Sequence, residues 1–183
     1  MKADIGIIGL GVMGENLILQ LSEKGYKVCI YNRTSEKTKL FVEKFKDKNI
    51  IPTFSLKEFS ENLNKPRIIV LLIKAGSPVD EMINSLISYL DENDIIIDAG
   101  NSHFKDSDRR FDFLNSKKIN FLGLGVSGGV EGARKGLSIM AGGNKEAYYN
   151  ILEVLKNISA KYEKENCLEY FGKGGAGHFV KII

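Results

Sequence analysis

The chain has 183 residues, 43% hydrophobic and 27% charged, with a formal net charge of +3. That balance fits a globular domain with one good core. The charges alternate in sign, as in "EKFKDK" (43–48), instead of forming the concentrated basic face of a nucleic-acid binder, and no apolar run approaches the roughly 18 residues a membrane span needs.

The N-terminal "MKADIGIIGLGVMG" carries Asp4 and interrupting glycines, which excludes a signal peptide. "DIGIIG" (4–9) predicts a strand, followed by a helix to about Lys24. "KVCIYN" (27–32) is a second strand, and Ser35 to Phe45 a helix. "IIPT" is a weak third strand, and "RIIVLLI" (67–73) a strong one, apolar enough to be covered on both faces. Pro78 opens the next helix, with Ser77 as its expected N-cap. "DIIIDAG" (94–100), a helix from Lys105 to Ser116, "INFLGLGV" (119–126), "LSIMAGG" (137–143) and a helix from Lys145 to Lys161 complete the series. The alternation argues for one α/β domain: a Rossmann-like, doubly wound, mostly parallel sheet with helices on both faces. Cys29 and Cys167 are far apart and outside any CxxC, so neither a disulfide framework nor a zinc site is indicated. A reducing, cytoplasmic setting fits, with Cys29 a buried small hydrophobe.

"GLGVMG", from Gly9 through Leu10, Gly11, Val12 and Met13 to Gly14, is G-x-G-x-x-G between a strand and a helix. Gly9 allows the tight turn, Gly11 lets backbone approach a pyrophosphate, and Gly14 lets helix pack on strand. The helix N-terminus then offers free N–H groups to the phosphates. An NAD site would end the second strand with an acid for the ribose 2′-hydroxyl. Here Asn32, Arg33 and Thr34 stand there. A guanidinium suits a 2′-phosphate, and no carboxylate repels one, so NADP is favoured over NAD.

Ligands of such sheets lie beyond the C-terminal ends of the strands. Three segments fall there: "IKAG" (73–76), "DAGNS" (98–102) and "GVSGGVEGARKG" (125–136). Asn101 and Ser102 can bond hydroxyls or a carboxamide. Ser127, Gly128 and Gly129 can form a cradle for an anion or hydroxyl, although so many glycines also suit a plain surface loop.

With "GLGVMGENLILQL", "YNRT", "LIKAG", "DAGNS", "GVSGGVEGARKG" and "GKGGAGHFVK" in this order, the chain resembles the N-terminal coenzyme domain of the 6-phosphogluconate dehydrogenase family, within the wider β-hydroxyacid dehydrogenase group. The resemblance covers essentially the full length. It implies NADP-dependent oxidative decarboxylation of 6-phosphogluconate to ribulose 5-phosphate, in a cytoplasmic homodimer with no nucleic-acid or membrane partner and no metal. It implies that residues 9–14 hold the pyrophosphate, and that Asn32, Arg33 and Thr34 hold the adenosine ribose and its phosphate. Ile73, Lys74 and Ala75 would line the nicotinamide side, with Ile73 where the family usually has Val. Asn101 would touch coenzyme and sugar acid, and Ser127, Gly128 and Gly129 the substrate. Lys181 would be the general base for the 3-hydroxyl, which requires a neutral amine, favoured by burial or a nearby positive charge. The family commonly has Pro near Leu137 and Ala141, which this chain lacks. His178 reads equally well as a plain helix-start residue.

The resemblance further implies a coenzyme domain over 1–176 and, over 177–183, the start of a helix leading to an all-helical domain outside this sequence, so that the chain alone binds coenzyme without turnover. Two other readings stand beside this one: a 3-hydroxyisobutyrate-type dehydrogenase, and a non-catalytic NADP-binding module, against which Lys181 argues.

Overall fold

A computed structural model describes residues 1–47 and 49–183. β1 (Ile5–Ile8) turns into α1 (Val12–Glu23), and β2 (Val28–Tyr31), α2 (Ser35–Phe45), β3 (Ile50–Thr53) and α3 (Leu56–Glu61) complete the first winding. β4 (Ile68–Leu71), α4 (Ser77–Leu86), β5 (Ile95–Asp98), α5 (Phe104–Asn115) and β6 (Asn120–Ser127) form the second. Then come α6 (Gly129–Lys135), β7 (Ser138–Gly143), α7 (Lys145–Asn150), α8 (Leu152–Ile158), a hairpin of β8 (Lys161–Tyr162) and β9 (Glu165–Asn166), β10 (Leu168–Gly172) and α9 (Ala176–Ile182).

Eight strands form one sheet in the order β10-β7-β6-β5-β4-β1-β2-β3. All neighbours are parallel except β6 and β7. The expected doubly wound, mostly parallel sheet is therefore present. Its strand order reverses between β1, which leads outward to β2, and β4, which leads outward to β5.

Alternation along each strand splits the core into two layers. Ile5, Ile7, Val70, Ile95 and Ile97 face the layer covered by α1, α2 and α8, and Ile8, Ile69, Leu71 and Ile96 face the layer of α3, α4 and α5. Cys29 is fully buried in the second layer, and burial pushes its thiol up to about 12.

Several local expectations change. The helix foreseen over 145–161 breaks at Ile151, whose backbone leaves helical geometry (φ −109°, ψ 11°). α8 ends at Ile158, and Lys161 already belongs to the β8–β9 hairpin. α4 starts one residue early, so Gly76 is the N-cap and Ser77 the first helical residue. The "SGGVEGARKG" segment is not wholly loop, since it contains α6. β10 was not foreseen. β7 is bonded on both sides, with Ala141 paired to Leu124 and Tyr170, and its register with β10 shifts between Tyr170 and Gly172.

Ile97 is 1% exposed at the centre of the first layer. Ile97→Ala should cost about 3 kcal/mol, the usual range for emptying such a site, seen as a lowered urea midpoint with an unchanged m-value.

Candidate coenzyme site and lysine seat

The glycine turn is built as its spacing implies. Gly9 has φ +113°, and a Cβ there would strike the Leu72 carbonyl of the neighbouring β4 exit. A Cβ on Gly14 would strike the Gly9 carbonyl, so this glycine lets α1 sit on its own turn. Around Gly11 no atom lies within 4 Å of an added Cβ, and the residue is exposed. That open space lies at the N-terminus of a 12-residue helix that no side chain caps. The arrangement fits an anion approaching the first N–H groups of α1. Val12 is exposed beside it, whereas the partly buried Met13 side chain packs against the core.

A groove of about 380 Å³ opens at the reversal of strand order. Gly9, Leu10 and Gly11 form its floor, Asn32, Arg33, Thr34 and Lys37 one wall, and Leu72, Ile73, Lys74, Pro78 and Met82 the other. Three of these residues are basic and none is acidic. Arg33 is exposed and makes no ion pair among the described residues. Asn32 braces the groove: its Oδ1 accepts from Leu10 N (3.0 Å) and its Nδ2 donates to the Thr34 carbonyl (3.1 Å). Ala75 follows Lys74 but stays outside the lining.

The remaining candidates gather around the end of β6. Asn101, with φ +53°, accepts from Val126 N (2.9 Å) and donates to Val126 O (3.2 Å). Its amide thus docks the β5 exit onto β6, keeping one N–H for another partner. Ser102 departs from expectation. It is 1% exposed and donates to Asp98 (2.6 Å), so it is unable to reach a ligand. Ser127, Gly128 and Gly129 lie exposed where β6 passes into α6, the two glycines at φ +133° and +59°.

Lys181 arrives on α9, which rests on β6 and β7 by backbone contact. An added Cβ on Gly177 would meet the Met140 carbonyl, and would stand 2.6 Å from both Gly123 O and Gly142 N. A Cβ on Gly125 would stand 2.5 Å from the Lys181 Cβ. Gly125 lies two residues before Ser127 on the same strand face. Half-buried Lys181, Ser127 and the Asn101 clamp therefore share one corner of the sheet. His178 is fully buried and is not a plain helix-start residue. Its Nε2 lies 3.1 Å from the Leu124 carbonyl, which can only accept, so Nε2 carries the hydrogen and Nδ1 accepts from Ser107 Oγ (2.6 Å). Burial lowers its pKa against the pull of Asp98, keeping the ring neutral.

Residues 4–172 match the family described as the NAD binding domain of 6-phosphogluconate dehydrogenase. The chain belongs to this family. Among its relatives is a Candida albicans protein named 6-phosphogluconate dehydrogenase, decarboxylating, 52% identical over 183 residues, which are 100% of this chain and 35% of the relative. A Bacillus subtilis protein named 6-phosphogluconate dehydrogenase, NADP(+)-dependent, decarboxylating, is 48% identical over 100% of this chain and 39% of its own length. The chain thus spans well under half the length of these relatives. Among solved structures, a Plasmodium falciparum 6-phosphogluconate dehydrogenase, described apo, with its cofactor NADP+ and with its substrate 6-phosphogluconate, superposes with a TM-score of 0.92 at 44% identity. That match covers 98% of this chain and 39% of that one. A Mycobacterium tuberculosis 3-hydroxyisobutyrate dehydrogenase superposes at 0.82 with 20% identity, over 100% of this chain and 58% of that one, which is a likeness of fold.

Two features of this domain escaped the sequence reading. Lys37, in the first turn of α2, joins Arg33 on the groove wall. Arg110, inside the charged stretch "KDSDRRFDF", reads as helix surface yet is 1% exposed. Its guanidinium donates to Asp80, Asp98, Ser102 and the Gly76 carbonyl.

Two outcomes are expected here. Gly177→Ala should lift α9 from the sheet and cost about 1–3 kcal/mol, because the obstructing atoms are backbone. Urea denaturation and faster amide exchange confined to α9 would show it. For Asp80, partial burial raises the carboxyl pKa, but hydrogen bonds from Arg110 and then Arg109 outweigh it and hold the value at about 2. A lowered folded-state pKa means stability that is present above about pH 4 and lost as pH falls toward 2. Asp80→Asn should therefore cost about 2 kcal/mol at pH 7. Denaturation curves across pH should show that gap narrowing between pH 4 and 2.

Proposed function

We propose that this domain binds NADP in the groove between β1 and β4. In a protein of its relatives' length, we propose that it serves the oxidative decarboxylation of 6-phosphogluconate to ribulose 5-phosphate. The observation that carries the reading is the groove itself: an open glycine turn at one end, and a wall with Arg33 and Lys37 but no carboxylate. Phosphates would sit over Gly11 at the start of α1. Arg33, with Thr34 and Lys37 beside it, would take the 2′-phosphate through charge-assisted bonds. Ile73 and Lys74 would flank the nicotinamide end, and bound NADP would supply the hydride acceptor.

The corner formed by Asn101, Ser127, Gly128, Gly129 and Lys181 would hold the sugar acid. Lys181 Nζ would accept the 3-hydroxyl proton as that carbon is oxidised. The oxidised 3-keto acid then loses CO2, and protonation of the enediol gives the pentose phosphate. Substrate contacts and a general acid from the part of the relatives that this chain does not span would complete the site, so the 183-residue chain should bind coenzyme with little turnover. The homodimer and the cytoplasmic setting belong to the same proposal for the longer protein. Among the described residues no helix is long and apolar enough to cross a membrane. The relatives at about half identity favour this substrate over 3-hydroxyisobutyrate.

Calorimetric titration with NADP and NAD, repeated on Arg33→Ala, tests the coenzyme reading. NADP should bind the unsubstituted chain more tightly than NAD. The variant should lose about 10- to 100-fold for NADP, the range for a charged hydrogen-bond partner, and change little for NAD. Equal affinity for both coenzymes before substitution would refute the assignment.

A further inference from the structure

We propose that Arg110 is a positioning residue for the nicotinamide half of the coenzyme, although it forms no part of the groove lining. This rests on the NADP reading above. Arg110 is 1% exposed, and all five of its N–H groups have acceptors. Nε and Nη2 grip the Asp80 carboxylate (2.8 and 3.2 Å). Nη2 also donates to the Gly76 carbonyl (3.0 Å). Nη1 donates to Asp98 Oδ2 (3.1 Å) and Ser102 Oγ (3.0 Å).

The location of these acceptors gives the network its consequence. Gly76 and Asp80 belong to the segment running from the β4 exit into α4. Ile73, Lys74, Pro78 and Met82 of that segment form one wall of the groove. Arg110 thus holds the wall from behind at two points four residues apart. Asp98 and Ser102 bracket Asn101, whose amide clamps Val126. One guanidinium thereby fixes the coenzyme wall relative to the loop that leads to the substrate corner.

Gly76 has φ +93° and nothing within 4 Å of an added Cβ. Its carbonyl accepts from Val79 N (3.1 Å) inside the same turn and from Arg110, which ties the turn to α5. A lysine at 110 would keep the charge but lose the planar fork. Asp80→Asn would weaken the grip on α4 and leave the Asp98 pair intact. That variant is the milder one, since Asp80 is partly exposed and Asp98 is not.

The test uses this chain with NADPH and with 2′,5′-ADP, which carries the adenosine end and no nicotinamide. Arg110→Lys and Asp80→Asn are each compared with the unsubstituted protein by titration and by the fluorescence of bound NADPH at saturation. The expected result is at least a fivefold loss of NADPH affinity with a fall in bound-state emission, while 2′,5′-ADP affinity stays within twofold. A general loosening of the domain would weaken both ligands equally, and that outcome overturns the proposal. Unchanged NADPH affinity and emission in Asp80→Asn overturns it too, and decides the matter if Arg110→Lys does not fold. Failure of the unsubstituted chain to bind either ligand would instead bring down the NADP reading, and this inference with it.

Discussion

The arrangement depends on the reversal of strand order between β1 and β4. Two parallel neighbours whose connections lead to opposite sides leave no chain to cover the space beyond their C-terminal ends. The groove opens there, and what borders it follows. The β1 exit must turn sharply against the Leu72 carbonyl, so Gly9 is confined to a conformation other residues avoid. The β2 exit must be braced to the glycine turn, which Asn32 does through Leu10 and Thr34. The β4 exit is tied to β1 by the Leu72 N–Ile8 O bond (2.9 Å), and past it the chain is held from behind, through Arg110.

The second constraint lies at the other end of the sheet. There β7 runs against the parallel direction, and α9 is laid on β6 and β7. Helices normally stand off a sheet by the length of their side chains. α9 instead comes into backbone contact because Gly123, Gly125, Gly142 and Gly177 remove the side chains that would intervene. The neutral His178 ring, pinned between the Leu124 carbonyl and Ser107, fixes the axial position of the same helix. Lys181 is thus placed by main chain and one buried ring.

The sequence makes the sheet legible because its strands are short apolar runs and its helices carry polar faces. The glycine turn is legible because each glycine has a separate steric task at a fixed spacing. Long-range bonding is harder to read. The Asn101 clamp spans 25 residues and the Arg110 link to Gly76 spans 34, and no local pattern encodes either. Arg110 sits in a stretch rich in alternating charge, where a buried guanidinium and an exposed one look alike. β10 was missed because its residues alternate half-buried and exposed along the edge of the sheet, which gives a weak apolar signal. Of the glycines before α9, Gly174 and Gly175 are demanded by contacts with Asp108 and the Phe104 carbonyl too close for a Cβ, and those partners lie far away in the chain, where no local pattern reports them.

The sheet also works as a gauge. Neighbouring strands stand about 4.8 Å apart. The coenzyme wall continues β4 and the lysine seat lies over β6, with β5 alone between them, so the two are offset laterally by roughly 10 Å. Hydrogen bonding along the ladders sets that interval, and no side chain can adjust it. On the proposed reading, a nicotinamide held at the β4 exit and a sugar acid held at the end of β6 would meet across that interval. The distance between the two partners would then be set by the pitch of the backbone as much as by any single contact.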